Sequence, residues 1–180
     1  MKATGIVRRI DDLGRVVIPK EIRRNLRIRE GEPLEIFVDR EGAVILKKYS
    51  PIGELSSLAG EYAASIHEAL GKPVFIADRD SIIAAEGVSR RDYLGRNIGT
   101  LVERAMEERR CVMQNKEDGD AMLADVRAGD ISMNGRLAMP IVSQGDPVGA
   151  VIICSEDTLG ETESKVAQSA AGVLAKQMEA

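Results

Sequence analysis

Arginine side chains gather near the start of the chain, around a short turn and on the helix that follows it. Arg8 and Arg15 flank residues 11–14, whose sequence DDLG predicts a tight turn, and Arg23 and Arg24 come shortly afterwards. A guanidinium group offers a planar fork of donors that matches phosphate oxygens. Several such groups close together repel one another unless an anion lies among them. The pattern therefore predicts the binding of a phosphate-bearing polyanion.

Other arginines of the same region have a simpler explanation. Arg9, Arg27, Arg29 and Arg40 can be plain solvated charges, which is the commoner case for any single surface arginine. The prediction of a polyanion site therefore depends on the grouping around the turn and not on the number of arginines.

The side chains that most enzymes use are scarce. The sequence has one histidine, His67, and two cysteines, Cys111 and Cys154, and it contains no CxxC, HxxxH, Walker or GxGxxG pattern. Cys154 ends an apolar run, where a buried and inert thiol is the usual outcome. We therefore expect no enzymatic activity, no metal and no cofactor, and a surface position for His67.

Charge divides the sequence into two parts. Residues 1–50 carry 12 basic and 8 acidic side chains, a net charge of +4, whereas residues 51–180 carry 13 and 21, a net charge of −8. A polyanion should meet the first part, although surface charge also varies in sign without any function. No apolar run reaches the roughly 20 residues of a membrane helix, and the opening residues show no signal-peptide pattern, so we expect a cytoplasmic protein.

The basic part has too few residues to build a core. Strands are predicted over residues 5–10, 15–18, 34–39 and 43–49, and a short helix over residues 20–26. Helical spacing places Lys20, Arg23, Arg24 and Arg27 on one arc, opposite two apolar residues. Fifty residues bury little apolar surface, so we expect an obligate dimer with interleaved strands. Its two-fold symmetry would present every arginine twice on one surface.

The acidic part has an α+β pattern. Ser50 and Pro51 open a predicted helix over residues 52–70 that serves as a semi-rigid linker. A hairpin over residues 74–85, a helix over residues 98–110, two strands over residues 137–153 and a helix over residues 161–178 follow. This order predicts an antiparallel sheet with helices packed on it.

Residues 1–50 resemble the AbrB family of transition-state regulators. The resemblance rests on TGIVRRIDDLGRVVIP at residues 4–19 and on the segments EIRR, LEIFV and KKY that follow. It implies an all-β swapped-hairpin barrel that dimerises and binds double-stranded DNA. It also implies DNA contacts at the candidate arginines, which are Arg8, Arg9, Arg15, Arg23 and Arg24. The family reads DNA shape more than a strict base code.

Residues 51–180 resemble a GAF domain. The element order and the segment from Pro140 to Val151, with GDPVGAV in its second half, carry this resemblance. It implies a pocket for a small-molecule effector, whose identity the sequence does not reveal. It also implies pairing through the helices at residues 52–70 and 161–178, which would join two dimers into a tetramer. The alternative is that these helices simply pack on their own sheet.

Three functions follow from these resemblances. With a second domain of this size, the chain resembles a regulator that activates and represses sporulation genes and acts at the nucleoid of the forespore. A DNA-binding antitoxin is the second possibility, because antitoxins share the swapped-hairpin fold, although their tails are usually short and disordered. The third is a GAF-type methionine sulfoxide reductase, which needs clustered cysteines.

Overall fold

The chain folds as two compact units, Met1–Tyr49 and Ser50–Ala180. The structure is a computed structural model and describes residues 5–54, 56–115 and 133–178. Within these ranges no helix is long and apolar enough to cross a membrane.

The first unit contains one short helix and one hairpin. Helix α1 is Lys20–Asn25, and strands β1, Leu34–Val38, and β2, Val44–Lys48, pair antiparallel with Leu34 opposite Lys48 and Val38 opposite Val44. Pro19 precedes the helix, where its fixed φ suits a helix start. These three elements agree with the prediction from the sequence.

Residues 5–10 and 15–18, where the sequence predicts two further strands, form no strand in the single chain. A strand needs a neighbouring strand with which it exchanges backbone hydrogen bonds, and no strand among the described residues of this chain pairs with these two segments. No residue between 5 and 49 is buried. Large apolar residues that leave more than half of their surface exposed are Val7, Ile10, Leu13, Val16, Val17, Leu26, Ile36, Val38 and Val44.

The second unit is built on a five-stranded antiparallel sheet in the order β4-β3-β7-β6-β5. Its helices are α2, Pro51–Glu54; α3, Ser56–Leu70; α4, Arg90–Tyr93; α5, Thr100–Glu108; and α6, Glu161–Gln177. Its strands are β3, Val74–Asp78; β4, Ile82–Glu86; β5, Val112–Asn115; β6, Gly135–Ser143; and β7, Asp146–Ser155.

Alternation along the central strands gives the sheet two apolar faces. On β7, Val151 and Ile153 join one core with buried residues of α3 and α6, whereas Ile152 and Cys154 join the other core with buried residues of α5. Successive side chains of a strand point to opposite faces, which is why a continuous apolar run fits a sheet covered on both sides. In the single chain α3 and α6 thus pack on their own sheet.

Most elements of the second unit lie within a few residues of their predicted positions. The long helix expected over residues 52–70 is assigned as α2 and α3, and the helix expected over residues 98–110 is the shorter α5. Two elements were not predicted, α4 and β5. Helix α4 is a single turn with the sequence RRDY, and β5 is a four-residue edge strand, so neither offers a clear period.

The two cysteines have different environments. Cys154 is fully buried in β7, and burial raises the pKa of its thiol to about 12, an effect that the nearby charge of Arg136 opposes. Cys111 is partly exposed, and Ser164 Oγ donates a 3.7 Å hydrogen bond to its Sγ. The inert Cys154 thiol expected from the sequence agrees with this environment.

We therefore expect the native chain to contain one reactive thiol. With a pKa of about 12, Cys154 is thiolate in roughly one molecule in 10⁵ at pH 7, and its position also blocks reagents. Titration with a thiol-specific chromophore should show Cys111 reacting in the folded chain and Cys154 reacting only in denaturant. In Cys111→Ser no fast reaction should remain, and a fast reaction in that variant would contradict the assignment.

Candidate nucleic-acid interface

The first turn is closed by a single carboxylate. Asp11 Oδ1 accepts hydrogen bonds from the backbone N–H of Leu13 at 3.0 Å and of Arg15 at 2.8 Å. The backbone N–H of Asp11 donates to the carbonyl of Arg15 at 3.1 Å, and Gly14 N–H donates to the carbonyl of Asp11 at 3.0 Å. Gly14 has φ +75°, which a residue with a Cβ adopts only at a cost. The sequence DDLG thus closes the turn locally.

The same turn occurs again between β1 and β2. Asp39 Oδ1 accepts from the N–H of Glu41 at 3.0 Å and of Ala43 at 2.7 Å, and Gly42 has φ +84°. The two turns share an aspartate at the first position and a glycine at the fourth. Because the second turn joins two paired strands, the first turn has the backbone geometry of a hairpin even though the segments that flank it are assigned to no strand.

Asp11 also holds the side chain of Arg15. Arg15 Nε lies 2.7 Å from Asp11 Oδ2, and the Arg15 side chain is 69% exposed. Hydrogen bonds from the backbone N–H and then from the side chain of Arg15 keep the pKa of Asp11 below its ordinary value. The guanidinium is therefore held at the turn while its remaining donors face solvent.

Helix α1 ends in a left-handed residue that is not glycine. Ile28 N–H donates to the carbonyl of Arg23 at 2.7 Å, and Arg27 N–H donates to the carbonyl of Arg24 at 3.1 Å, which is the Schellman pattern. Arg27 has φ +53°, a conformation that usually belongs to glycine in this motif. Sequence analysis placed Arg27 on the same helical arc as Arg23 and Arg24, and it did not predict the left-handed conformation of Arg27 at the end of the helix.

A nearly buried ion pair ties the segment after α1 to β2. Lys48 Nζ donates to the carbonyl of Arg27 at 2.9 Å and lies 3.7 Å from Glu32 Oε1, and the Glu32 side chain is 7% exposed. The other carboxylate oxygen of Glu32 accepts from the N–H of Arg29 at 2.8 Å. These contacts fix the end of α1 and thereby the backbone that carries Arg23 and Arg24. Sequence analysis missed this anchor, because Glu32 and Lys48 are far apart in the sequence.

The candidate arginines lie on three segments of the first unit. Arg8 and Arg9 are exposed on residues 5–10, Arg15 lies at the turn, and Arg23 and Arg24 lie on α1. Of the five, only Arg15 has an ion-pair partner among the described residues. Arg24 is exposed, whereas Arg23 is half-buried and its Nε has no hydrogen-bond partner in the described part of the chain. The convergence of all five on one surface stays a prediction.

Comparison with known proteins decides the family. The chain is 57% identical over 180 residues to stage V sporulation protein T of Bacillus subtilis (strain 168), and the match covers 99% of each chain. The chain belongs to the stage V sporulation protein T family. The family model described as "Stage V sporulation protein T C-terminal, transcription factor" matches residues 54–179. The chain is therefore a DNA-binding transcriptional regulator, consistent with the expectation of a non-enzymatic protein.

The first unit has relatives of its own. Transition state regulatory protein AbrB of Bacillus subtilis is 65% identical over 51 residues, which are 28% of this chain and 52% of that protein. The family model described as "Antidote-toxin recognition MazE, bacterial antitoxin" matches residues 7–54. The resemblance of this unit to AbrB is confirmed.

The second unit has the GAF fold. A GAF domain from an Acinetobacter phosphoenolpyruvate-protein phosphotransferase aligns with a TM-score of 0.60 at 13% identity, covering 69% of this chain and 82% of that one. A free methionine-R-sulfoxide reductase from Thermoplasma acidophilum aligns with a TM-score of 0.56 at 17% identity, covering 71% and 95%. At these identities the likeness shows the fold alone. The α+β GAF-like fold with an antiparallel sheet is confirmed.

We expect Asp11 to stay ionised at a lower pH than an ordinary aspartate. Its folded pKa is lowered, so its contribution to stability is present above the unfolded pKa and is lost as the pH falls through the folded value. A carbon-detected NMR titration of the carboxyl group should place its midpoint below 3.8, the ordinary value. Arg15→Ala should raise the midpoint only in part, because the backbone N–H bond remains. A midpoint at or above the ordinary value in the parent chain would contradict this geometry.

Proposed function

We propose that the chain is a dimeric regulator that activates and represses sporulation genes and grips duplex DNA through the candidate arginines. The observation that carries the proposal is a set of five arginines, four exposed and Arg23 half-buried, on a unit in which none of the described residues is buried. The family supports a role in sporulation, which would place the protein in the cytoplasm of the forespore, at the nucleoid.

Pairing of two first units would supply the missing core. Residues 5–10 and 15–18 carry apolar side chains and form no strand in the single chain, and they lie on either side of a preformed hairpin turn. Strands of a second copy would satisfy both needs at once, since they offer backbone partners and cover the apolar residues. This argument supports the interleaved, swapped-hairpin barrel that the AbrB resemblance implies.

Binding would combine charge with DNA shape. Each dimer would present two copies of every candidate arginine, and their guanidinium groups would displace counterions from the phosphates. Arginine also enters narrow minor grooves, whose width depends on sequence. The unit has no glutamine, and Asn25 is its only asparagine, so side chains for bidentate adenine readout are scarce. Selectivity would therefore come largely from the deformability of the duplex.

The second unit would tune this binding. We assign it a small-molecule effector of unknown identity and a role in assembly, in which α3 and α6 of two chains pair and join two dimers into a tetramer. Both helices bury one face on the sheet and leave exposed positions on the other. These exposed faces could pack against the same helices of a second chain in a helix bundle.

The two other functions have less support. A folded GAF-like unit that matches a transcription-factor family differs from the short disordered tail of an antitoxin. Sulfoxide reduction by clustered cysteines finds no support in Cys154, which is fully buried with a raised thiol pKa.

Replacing single candidate arginines should weaken DNA binding. Arg23→Ala and Arg24→Ala should each lower the affinity of the dimer for duplex DNA about a hundredfold, since one charge-assisted hydrogen bond of about 1.5 kcal/mol disappears from each of the two protomers. The slope of log K against log salt should fall by about one unit for each phosphate that the protein no longer neutralises. Fluorescence anisotropy over a salt series measures both quantities. Arg40→Ala, an exposed arginine in the second turn, is the matched control. Unchanged affinity and slope in both variants would overturn the assignment.

Substitution of an apolar residue that is exposed in the single chain should break the assembly. Val17 is 73% exposed, so Val17→Glu would be nearly neutral on a monomer surface. In an interleaved barrel it would bury an unpaired carboxylate and cost several kcal/mol. Sedimentation equilibrium should therefore show a smaller assembly than that of the parent, whereas Arg91→Glu on exposed α4 should leave the mass unchanged. A parental mass for Val17→Glu would exclude the interleaved dimer.

A further inference from the structure

Hydrogen bonds hold the chain on each side of the boundary between the two units. Tyr49, the last residue of the first unit, donates from its N–H to the carbonyl of Pro33 at 3.1 Å. Ser50, the first residue of the second unit, donates from Oγ to Asp78 Oδ2 at 3.2 Å. Ser50 Oγ also accepts from the N–H of Gly53 at 3.1 Å. The two residues that make these hydrogen bonds, Tyr49 and Ser50, are therefore adjacent in the sequence.

The chain just after Ser50 is also fixed. Ile52 is fully buried in the core that includes α3 and α6, and α2 contacts β7. A Cβ on Gly53 would lie 2.9 Å from Ser50 Oγ, which is closer than ordinary packing allows. The hydroxyl of Ser50 thus occupies a close-fitting position at the start of α2.

Asp78 gives one carboxylate oxygen to its own turn and the other to Ser50. Its Oδ1 accepts from the N–H of Asp80 at 2.8 Å and of Ser81 at 2.7 Å, and its N–H donates to the carbonyl of Ser81 at 2.9 Å. Its Oδ2 accepts the Ser50 hydroxyl. A change in the β3–β4 turn would therefore move the acceptor that holds Ser50.

The β3–β4 turn is also bonded to other parts of the second unit. Ile98 N–H donates to the carbonyl of Asp80 at 2.9 Å, and Ile98 is buried just before α5, on the sheet face opposite α3 and α6. Arg79 Nε donates to the carbonyl of Pro147 at 2.7 Å, at the start of β7. Hydrogen bonds thus run from the segment before α5 through this turn to Ser50.

We infer that Ser50 is a positioning residue for DNA binding, and that the β3–β4 turn acts on the DNA-binding unit through it. This inference rests on the proposed function, in which the first unit holds the DNA. The bond to Asp78 limits the conformational freedom of Ser50, the residue that follows the DNA-binding unit, so less freedom is lost at this residue when that unit docks on DNA. A conformational change at α5 that displaces the β3–β4 turn would break the hydrogen bond between Ser50 and Asp78 and lower the affinity for DNA.

The test breaks the bond to Asp78 while keeping the start of α2 intact. Ser50→Asp retains an acceptor for Gly53 N–H, removes the donor to Asp78 and faces that carboxylate with another. Ser57→Asp adds the same charge at an exposed position of α3 and is the matched control. Ser50→Thr keeps both hydrogen bonds. Duplex DNA affinity of the full chain is measured for each variant over a salt series.

We expect Ser50→Asp to bind about fivefold more weakly than Ser57→Asp, the ratio that corresponds to one hydrogen bond of about 1 kcal/mol. The salt slope should be unchanged, because the same number of phosphates is neutralised, and Ser50→Thr should match the parent. Parental affinity of Ser50→Thr would show that the loss in Ser50→Asp comes from the missing hydrogen bond and not from a general loss of structure. Equal affinities of Ser50→Asp and Ser57→Asp would overturn the inference.

Two further measurements keep the outcome decisive. If Ser50→Asp does not fold, Ser50→Ala and Ser57→Ala give the same comparison without added charge, and amide exchange at Asp80 and Ser81 reports whether the turn is intact. Arg23→Ala is measured beside them. Weak binding by Arg23→Ala with normal binding by the Ser50 variants overturns only the positioning role. Normal binding by the Arg23, Arg24 and Ser50 variants overturns the proposed function itself.

Discussion

The first unit has apolar side chains but nowhere within one chain to bury them, and the rest of its design depends on this constraint. No described residue before Ser50 is buried, and the apolar residues Val7, Val17 and Val38 are each at least 71% exposed. The hydrophobic effect supplies most of the free energy of folding, so a unit of this kind would gain its stability by association. Association would also double the number of arginines on the surface, so that stability and DNA affinity would come from the same event.

Local hydrogen bonds prepare the unit for that event. Asp11 and Asp39 close two turns of the same geometry, and Lys48 with Glu32 fixes the end of α1. These contacts need no second chain. The turns and the helix end that position arginine side chains are thus fixed within one chain, whereas the remaining strands would form only when a second chain pairs with them.

Sequence reasoning succeeded where a local period or a specific motif was present. Alternation predicted β1, apolar runs predicted β2, β3, β6 and β7, and helical spacing predicted α3 and α6. The motif around residues 4–19 led to the correct family. Sequence reasoning missed α4 and β5, which are too short to show a period. It also missed the Lys48–Glu32 anchor and the Ser50–Asp78 bond, because contacts between distant residues leave no local signal. The predicted grouping of the candidate arginines in space would depend on a second chain, whose position the periodicity of one chain cannot fix.

Arg27 shows how backbone conformation and charge can place opposing demands on one residue. Its left-handed conformation costs roughly 1 kcal/mol relative to glycine, yet its positive charge sits at the end of the helix that carries Arg23 and Arg24. Exchange for glycine would relax the backbone and remove one positive charge beside Arg23 and Arg24 in a single step. Stability of the helix end and strength of the positive field are therefore opposing demands at this position.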